Sequence, residues 1–461
     1  MNLALLDPFR KSSPDRVECT LSYPTLTDPA LVERDETIDA TAMSFNRRGT
    51  YLGVGYGTGS VIIWDFLSRT VARHIEDVHP DAEVFSVDWS RRGRVIFTSG
   101  GDGFLALVQV DEVPCSITRI PFLDAYCLQH PATDEESADL QQQLWINKAM
   151  LQPRTLNRAL CVLSDGMLVV TTLSNDPQIT IIHRPDNHTN SENNRKLSHP
   201  HKRPPSFVTH ASFDKNGKHI FATTHSGHVH IYETSNYSLV SSFKVQGSSS
   251  PIKSITFSKD GKMFLLNSSD SVIRLFRSDS RDGRPRLSYQ DIINKVKWKD
   301  CCFSHDGEHV VGASTSRYSV NLYVWNTDTN VLVDLLKGPQ MELRTLAYHP
   351  ARSCLATGTA DGCVDMWGIP MNWTALAPDF QALPKNVEYI ENEDEFDIVA
   401  GQEEAKALEL EMFENQEVDV VGIEKITVFE SDSENEEDVL FLRPEINITA
   451  TEGGKHKKLK Y

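Results

Sequence analysis

A chain of 461 residues with 39% apolar residues and 8% aromatics can bury a sizeable core, while a mean hydropathy of −0.35 shows that polar segments dilute it. No run of about 18 apolar residues occurs, and residues 1–16 lack the basic-then-apolar order of a signal peptide, which argues against a membrane span or secretion and leads us to expect a soluble intracellular protein. The formal charge of −18 is concentrated in residues 379–438, whose 21 acidic and 3 basic residues match it alone.

The first predicted element is a strand within residues 16–23, where Val17, Cys19 and Leu21 alternate. A repeat begins downstream: an aromatic residue, three mostly polar residues and a glycine, at Phe45 to Gly49, Trp89 to Gly93, Phe213 to Gly217, Phe257 to Gly261 and Phe303 to Gly307. Each unit ends a strand in a tight turn where glycine supplies positive φ. Tyr348-His349-Pro350 is a variant, and Met150 to Pro153 marks a further unit in the long gap. After each turn comes a strand of small residues, a Gly/Asp turn and an alternating apolar strand, as in Tyr51–Val54, Gly57–Gly59 and Val61–Asp65. Repetition at about 45 residues with period-2 strands is the signature of propeller blades. Seven such units predict an all-β, seven-bladed β-propeller over residues 16–370, with the N-terminal strand closing the last blade so that no edge is left open.

Two inserts break the period, at about 123–143 and 174–205. The second holds His183, His188, His199 and His201 at spacings that fit no zinc site, so a surface loop is expected and no metal. The eight cysteines form no CxxC pair and are read as reduced, mostly buried thiols. Between Lys253 and Lys299 the cations cluster, and Lys253, Arg274, Arg277, Lys295 and Lys297 are candidate phosphate contacts of a sequence-independent kind. No P-loop, dinucleotide fingerprint, HExxH or nucleophile elbow is present, so no catalytic residue and no cofactor is assigned and a binding scaffold is expected.

Past Trp367 the repeat stops, and residues 371–398 are followed by an acidic segment, 399–461, expected to be largely disordered. Aromatics embedded in this run have the character of anchors. In an extended chain Glu395 and Asp397 point one way and Phe396 and Ile398 the other, which suits a partner with a basic strip beside an apolar groove. Val418 and Val420 likewise oppose Asp419.

The aromatic-Asp dipeptide places, Trp64-Asp65, Tyr232-Glu233, Trp325-Asn326 and Trp367-Gly368, resemble the WD-repeat family in a degenerate form. A more specific resemblance rests on Met1 to Leu6, Phe45-Asn-Arg with Ile63 to Leu67, Trp298 to Ser304, and the tail motifs Asn372-Trp373, Ala377-Pro-Asp-Phe380, Asn386-Val-Glu-Tyr389 and Glu395-Phe-Asp-Ile398. Together these resemble the retinoblastoma-binding protein 5 family with its fungal members, WD-repeat subunits of COMPASS-type complexes that methylate lysine 4 of histone H3. The resemblance implies a nuclear, non-catalytic scaffold. It further implies that Trp373, Ala377, Pro378, Asp379, Phe380, Asn386, Val387 and Glu388 activate a SET-domain methyltransferase. Tyr389, Glu391, Glu393, Glu395, Phe396, Asp397 and Ile398 would bind a SPRY-domain subunit, Glu417, Val418, Asp419 and Val420 a second WD-repeat subunit, and the propeller would lie on the nucleosome. Val399-Ala-Gly401 and Val421-Gly-Ile423 depart from the animal pattern beside the motif cores. The rival reading is a generic WD-repeat adaptor, such as a ubiquitin-ligase substrate receptor, which would bind through the top of the propeller.

Overall fold

The computed structural model describes Pro14, residues 16–22, 38–130, 144–174, 176–185, 207–291, 294–314 and 319–369, and Leu442. Within them are seven four-stranded antiparallel sheets, the seven blades. The first is Ala40–Phe45, Tyr51–Tyr56, Val61–Asp65 and Val71–Ile75, in order from the channel outward. The innermost strands of successive blades contact one another around the ring. The seven repeat anchors therefore mark the ends of the seven inner strands. Every turn after an inner strand opens on the same face of the ring.

The residues of the repeat explain those turns. Gly49, Gly93, Gly217, Gly261 and Gly307 all have φ between 69° and 77°, where an L side chain is strained. In blade three, which lacks the glycine, Arg154 takes φ 70° instead. At Gly49 a Cβ would also fall 2.2 Å from the imidazole of His349.

Ring closure follows the expectation. Arg16–Leu21 pairs antiparallel with Val364–Gly368, from Arg16 opposite Gly368 to Leu21 opposite Val364, with a bulge between Val17 and Cys19. Thr20 Oγ1 donates to Asp365 Oδ1 at 2.6 Å. Blade seven is tied to blade one by Arg344 on Asp39 at 2.6 Å and by His349, whose Nε2–H donates to the Gly49 carbonyl at 3.0 Å. The His349 ring also lies 4.4 Å from the Phe66 ring and 5.2 Å from that of Phe45.

Between blades the packing is apolar. Trp64, Tyr232, Trp325 and Trp367 are all buried, so these aromatics hold the fold together. Trp298 is fully buried edge-on to Tyr323 and Trp325, and its Nε1–H donates to the Ser271 carbonyl. In blade two, His79 bridges Asp102 Oδ1 at 2.9 Å and Thr98 Oγ1 at 2.8 Å, pinning the turn to the second strand.

The first insert gains an element, and two expectations need correction. The start of the first insert is a helix, Phe122–Gln129, which buries Phe122 and Tyr126 against blade three. The start of the second is the outermost strand of blade three, Ile179–His183. His183 is consequently no loop residue: its Nδ1 lies 2.8 Å from the Tyr232 hydroxyl and its ring stacks on His230 at 5.3 Å. Finally, all eight cysteines are free thiols, but only Cys161, Cys301 and Cys302 are buried.

Candidate interaction surfaces

The channel is the first candidate. A cavity of about 500 Å3 is lined by inner-strand residues from Thr41 and Lys148 to Asp300, and by the turn residues Lys259, His305 and Pro350. Its wall carries charge that no linear motif shows. Lys148 Nζ donates to His210 Nε2 at 2.8 Å, and the carboxylates of Asp88, in the neighbouring blade two, and of Asp300, across the channel in blade six, attract it. Burial pushes Asp88 up to about 6, while the backbone N–H groups of Leu151 and Trp89 pull against that rise. Burial lowers His210 well below the ordinary histidine range, and the adjacent Lys148 charge adds to it. The imidazole is thus neutral and accepts the lysine's hydrogen bond. This cluster joins inner strands of four blades.

The second candidate is the face onto which the inner turns open. It presents Arg47 and Arg48 from blade one, Arg91, Arg92 and Arg94 from blade two, Arg154 from blade three, Lys215 and Lys218 from blade four, Lys259 and Lys262 from blade five, and Arg352 from blade seven, all exposed. Only blade six departs. There Asp306 and Glu308 take the place of cations, and with His309 they bring ligand-type atoms within 4.8 Å of one another. Asp306 already accepts hydrogen bonds from Ser304 and the Glu308 N–H, which is ordinary turn chemistry. A near-complete ring of cations around a channel mouth is a surface for an extended polyanion. The sequence carried this signal as basic residues inside the repeated turn unit, where they pass for loop solvation.

The predicted phosphate contacts in blades five and six are placed differently. Arg274 is 5% exposed and holds Asp270 at 2.6 Å and Ser268 at 3.3 Å, so it is a buried structural cation and the expectation that it meets phosphate is corrected. Arg277 forms a two-pronged pair with Asp279 at 3.1 and 2.9 Å, exposed on both sides. Lys253 donates to the Trp298 carbonyl at 2.8 Å, tying blade five to blade six. Lys295 and Lys297 are exposed on the loop before Trp298. The sector is therefore split between structural cations and a short basic loop.

The tail candidates, Trp373 through Ile398 and Glu417 through Val420, lie outside the described residues.

Comparison with known proteins locates the chain. The WD domain, G-beta repeat model matches residues 238–277 and 330–368, and a Vps8 beta-propeller model matches residues 30–119. The first of these matches runs from the outermost strand of blade four through three strands of blade five, so the sequence repeat is offset from the blade. The chain is 30% identical to the retinoblastoma-binding protein 5 homolog of Drosophila melanogaster, over 95% of its own length and 81% of that protein. It is 31% identical to the Set1 complex component swd1 of Schizosaccharomyces pombe, over 90% and 94%, and 27% identical to the COMPASS component SWD1 of Saccharomyces cerevisiae, over 89% and 91%. Among solved structures, the Cps50 (Swd1) beta-propeller domain of Myceliophteria thermophila superposes with a TM-score of 0.60 at 21% identity, covering 77% of this chain and all of that one. That structural likeness speaks for the fold.

Proposed function

The chain belongs to the family of retinoblastoma-binding protein 5 homologues and fungal Swd1 subunits, and from that membership we propose that it is a nuclear scaffold of a COMPASS-type complex that supports methylation of histone H3 lysine 4. The observation that carries this is the reach of the similarity. A match over 95% of the chain extends well beyond the last blade, so it takes in the tail and not the propeller alone.

In this reading the two parts divide the work. The tail contributes short anchors: Trp373 to Glu388 engages the SET-domain methyltransferase, Tyr389 to Ile398 the SPRY-domain subunit, and Glu417 to Val420 the second WD-repeat subunit. Each anchor is small, and burial of one Phe and one Ile is worth on the order of 3–6 kcal/mol before ordering costs. Several on one chain add through effective concentration, which favours one assembled arrangement of the catalytic subunit over others. The propeller contributes the basic turn face, which suits nucleosomal DNA because its cations meet phosphates without reading bases.

The test is direct. In a reconstituted complex, Phe396→Ala with Asp397→Ala is expected to weaken binding of the SPRY-domain subunit by tenfold or more, about 1.4 kcal/mol, in a calorimetric titration. Methylation of histone H3 should fall at subunit concentrations below the new Kd and recover above it. Unchanged affinity removes the assignment.

A further inference from the structure

The outermost strands of the blades are not alike. In blades four and six, Leu239–Lys244 and Leu332–Lys337 are exposed at four of six positions, leaving Leu239, Val240, Leu332, Val333 and Leu335 in solvent. In blade one the corresponding strand, Val71–Ile75, has no exposed position. Ala72, Arg73 and Ile75 are buried there, and Arg73 is only 1% exposed. A guanidinium on an edge strand ordinarily extends to water while its stem covers apolar surface. Here the edge itself is covered.

A second observation belongs to the same groove. Leu442 lies 73 positions beyond Ile369, yet it is 5% exposed and belongs to the apolar cluster shared by blades one and two. Its backbone N–H donates to the Tyr51 hydroxyl at 2.9 Å. Tyr51 starts the second strand of blade one, and the pairing of Gly53 with Ile63 and of Ile63 with Arg73 puts Tyr51, Ile63 and Arg73 on one face. That face is turned to blade two, since a Cβ on Gly53 would touch Trp89 and Val87. The sequence agrees with an anchor: Val439-Leu-Phe-Leu442 is a purely apolar run between Glu436-Glu-Asp438 and Arg443-Pro444.

We infer that the segment carrying Leu442 is an intrachain ligand of the propeller, seated in the outer groove between blades one and two and covering the edge of blade one. The groove offers an apolar seat for one leucine and a hydroxyl acceptor for its backbone. Because Ile369 and Leu442 are both held on the propeller, the 72 residues between them are tethered at both ends. Closing such a loop is entropically cheap, since the cost grows only with the logarithm of its length. The return fixes where the stretch can reach.

Hydrogen–deuterium exchange on the full chain tests this. Leu442→Asp is expected to accelerate exchange at least tenfold in residues 71–75 and 440–443, and to leave the outermost strand of blade four unchanged. Tyr51→Phe, which keeps the ring and removes the acceptor, should give about threefold in residues 440–443 alone. Adding a peptide of residues 436–448 to the Leu442→Asp chain should restore protection of residues 71–75, and the same peptide bearing the aspartate should not. Equal exchange in the wild-type and Leu442→Asp chains, an acceleration shared by all outer strands, or failure of the peptide to restore protection overturns the assignment.

Discussion

Cations cluster in two regions of the propeller, residues 253–299 and the inner turns, and the structure places them differently. In the first, Arg274 is buried against Asp270, Arg277 is paired with Asp279 and Lys253 is bound to the Trp298 carbonyl. In the second, the cations are exposed on turns that recur at blade spacing, so they fall on one face of the ring. Density of basic residues along a sequence is therefore a poor guide to surface potential. Periodicity is a better one, because a residue type repeated at blade spacing must fall on one face.

The largest effect expected from this contrast is on folding. Arg274→Ala removes a buried guanidinium and leaves the partly exposed Asp270 without it, and should cost about 2–3 kcal/mol of stability in denaturant unfolding, with DNA affinity unchanged for the folded fraction. Reversing Arg47, Arg48, Arg91 and Arg92 to Glu should do the converse. Binding to duplex DNA followed by anisotropy should fall by about 30-fold or more at physiological salt, the slope of log K against log salt should shrink by about 3 to 4, and the melting temperature should barely move. Lys295→Glu with Lys297→Glu should cost only about threefold in the same assay. If that pair instead matches the turn variant, the division between the regions fails.

Acidity gives a subtler probe, since His349 stands directly behind the Arg47–Arg48 turn. Burial lowers its pKa to about 4, and the N–H groups of Ala351 and Arg352 occupy its Nδ1. A histidine held neutral when folded but protonated near its ordinary value when unfolded stabilises the fold fully above pH 6.5. That contribution is lost as pH falls from 6.5 toward about 4, with a slope of up to about 1.4 kcal/mol per pH unit. His349→Gln should reduce the acid slope of stability by up to one proton in calorimetry at stepped pH. An unchanged slope would show that His349 takes up its proton as readily in the folded protein as in the unfolded one.

Much of the fold was legible because each blade repeats one turn unit, and the positive-φ glycines sit where the aromatic-to-glycine spacing put them. Helix Phe122–Gln129 was not legible: two turns with Phe122 and Tyr126 as its buried residues leave too short a helical pattern to separate from a loop. Strand Ile179–His183 was hidden by the Asn, Pro and His around it. The channel cluster of Lys148, His210, Asp88 and Asp300 draws single residues from four blades, and no linear spacing can announce it. For the tail the reverse holds, since its candidates came from motif order and have only sequence similarity behind them.

The clasp between Arg16–Leu21 and Val364–Gly368 also has a temporal meaning. Thr20 and Asp365 are 345 positions apart, so Arg16–Leu21 leaves the ribosome long before its partner strand exists. Throughout synthesis the newborn chain carries an unpaired edge on that strand, and blades one to six must gather without a closed circle to hold them. A contact of such span forms slowly. Closure of the ring is thus gated by Val364–Gly368, and a ribosome stalled anywhere before Val364 leaves an open arc, not a smaller ring.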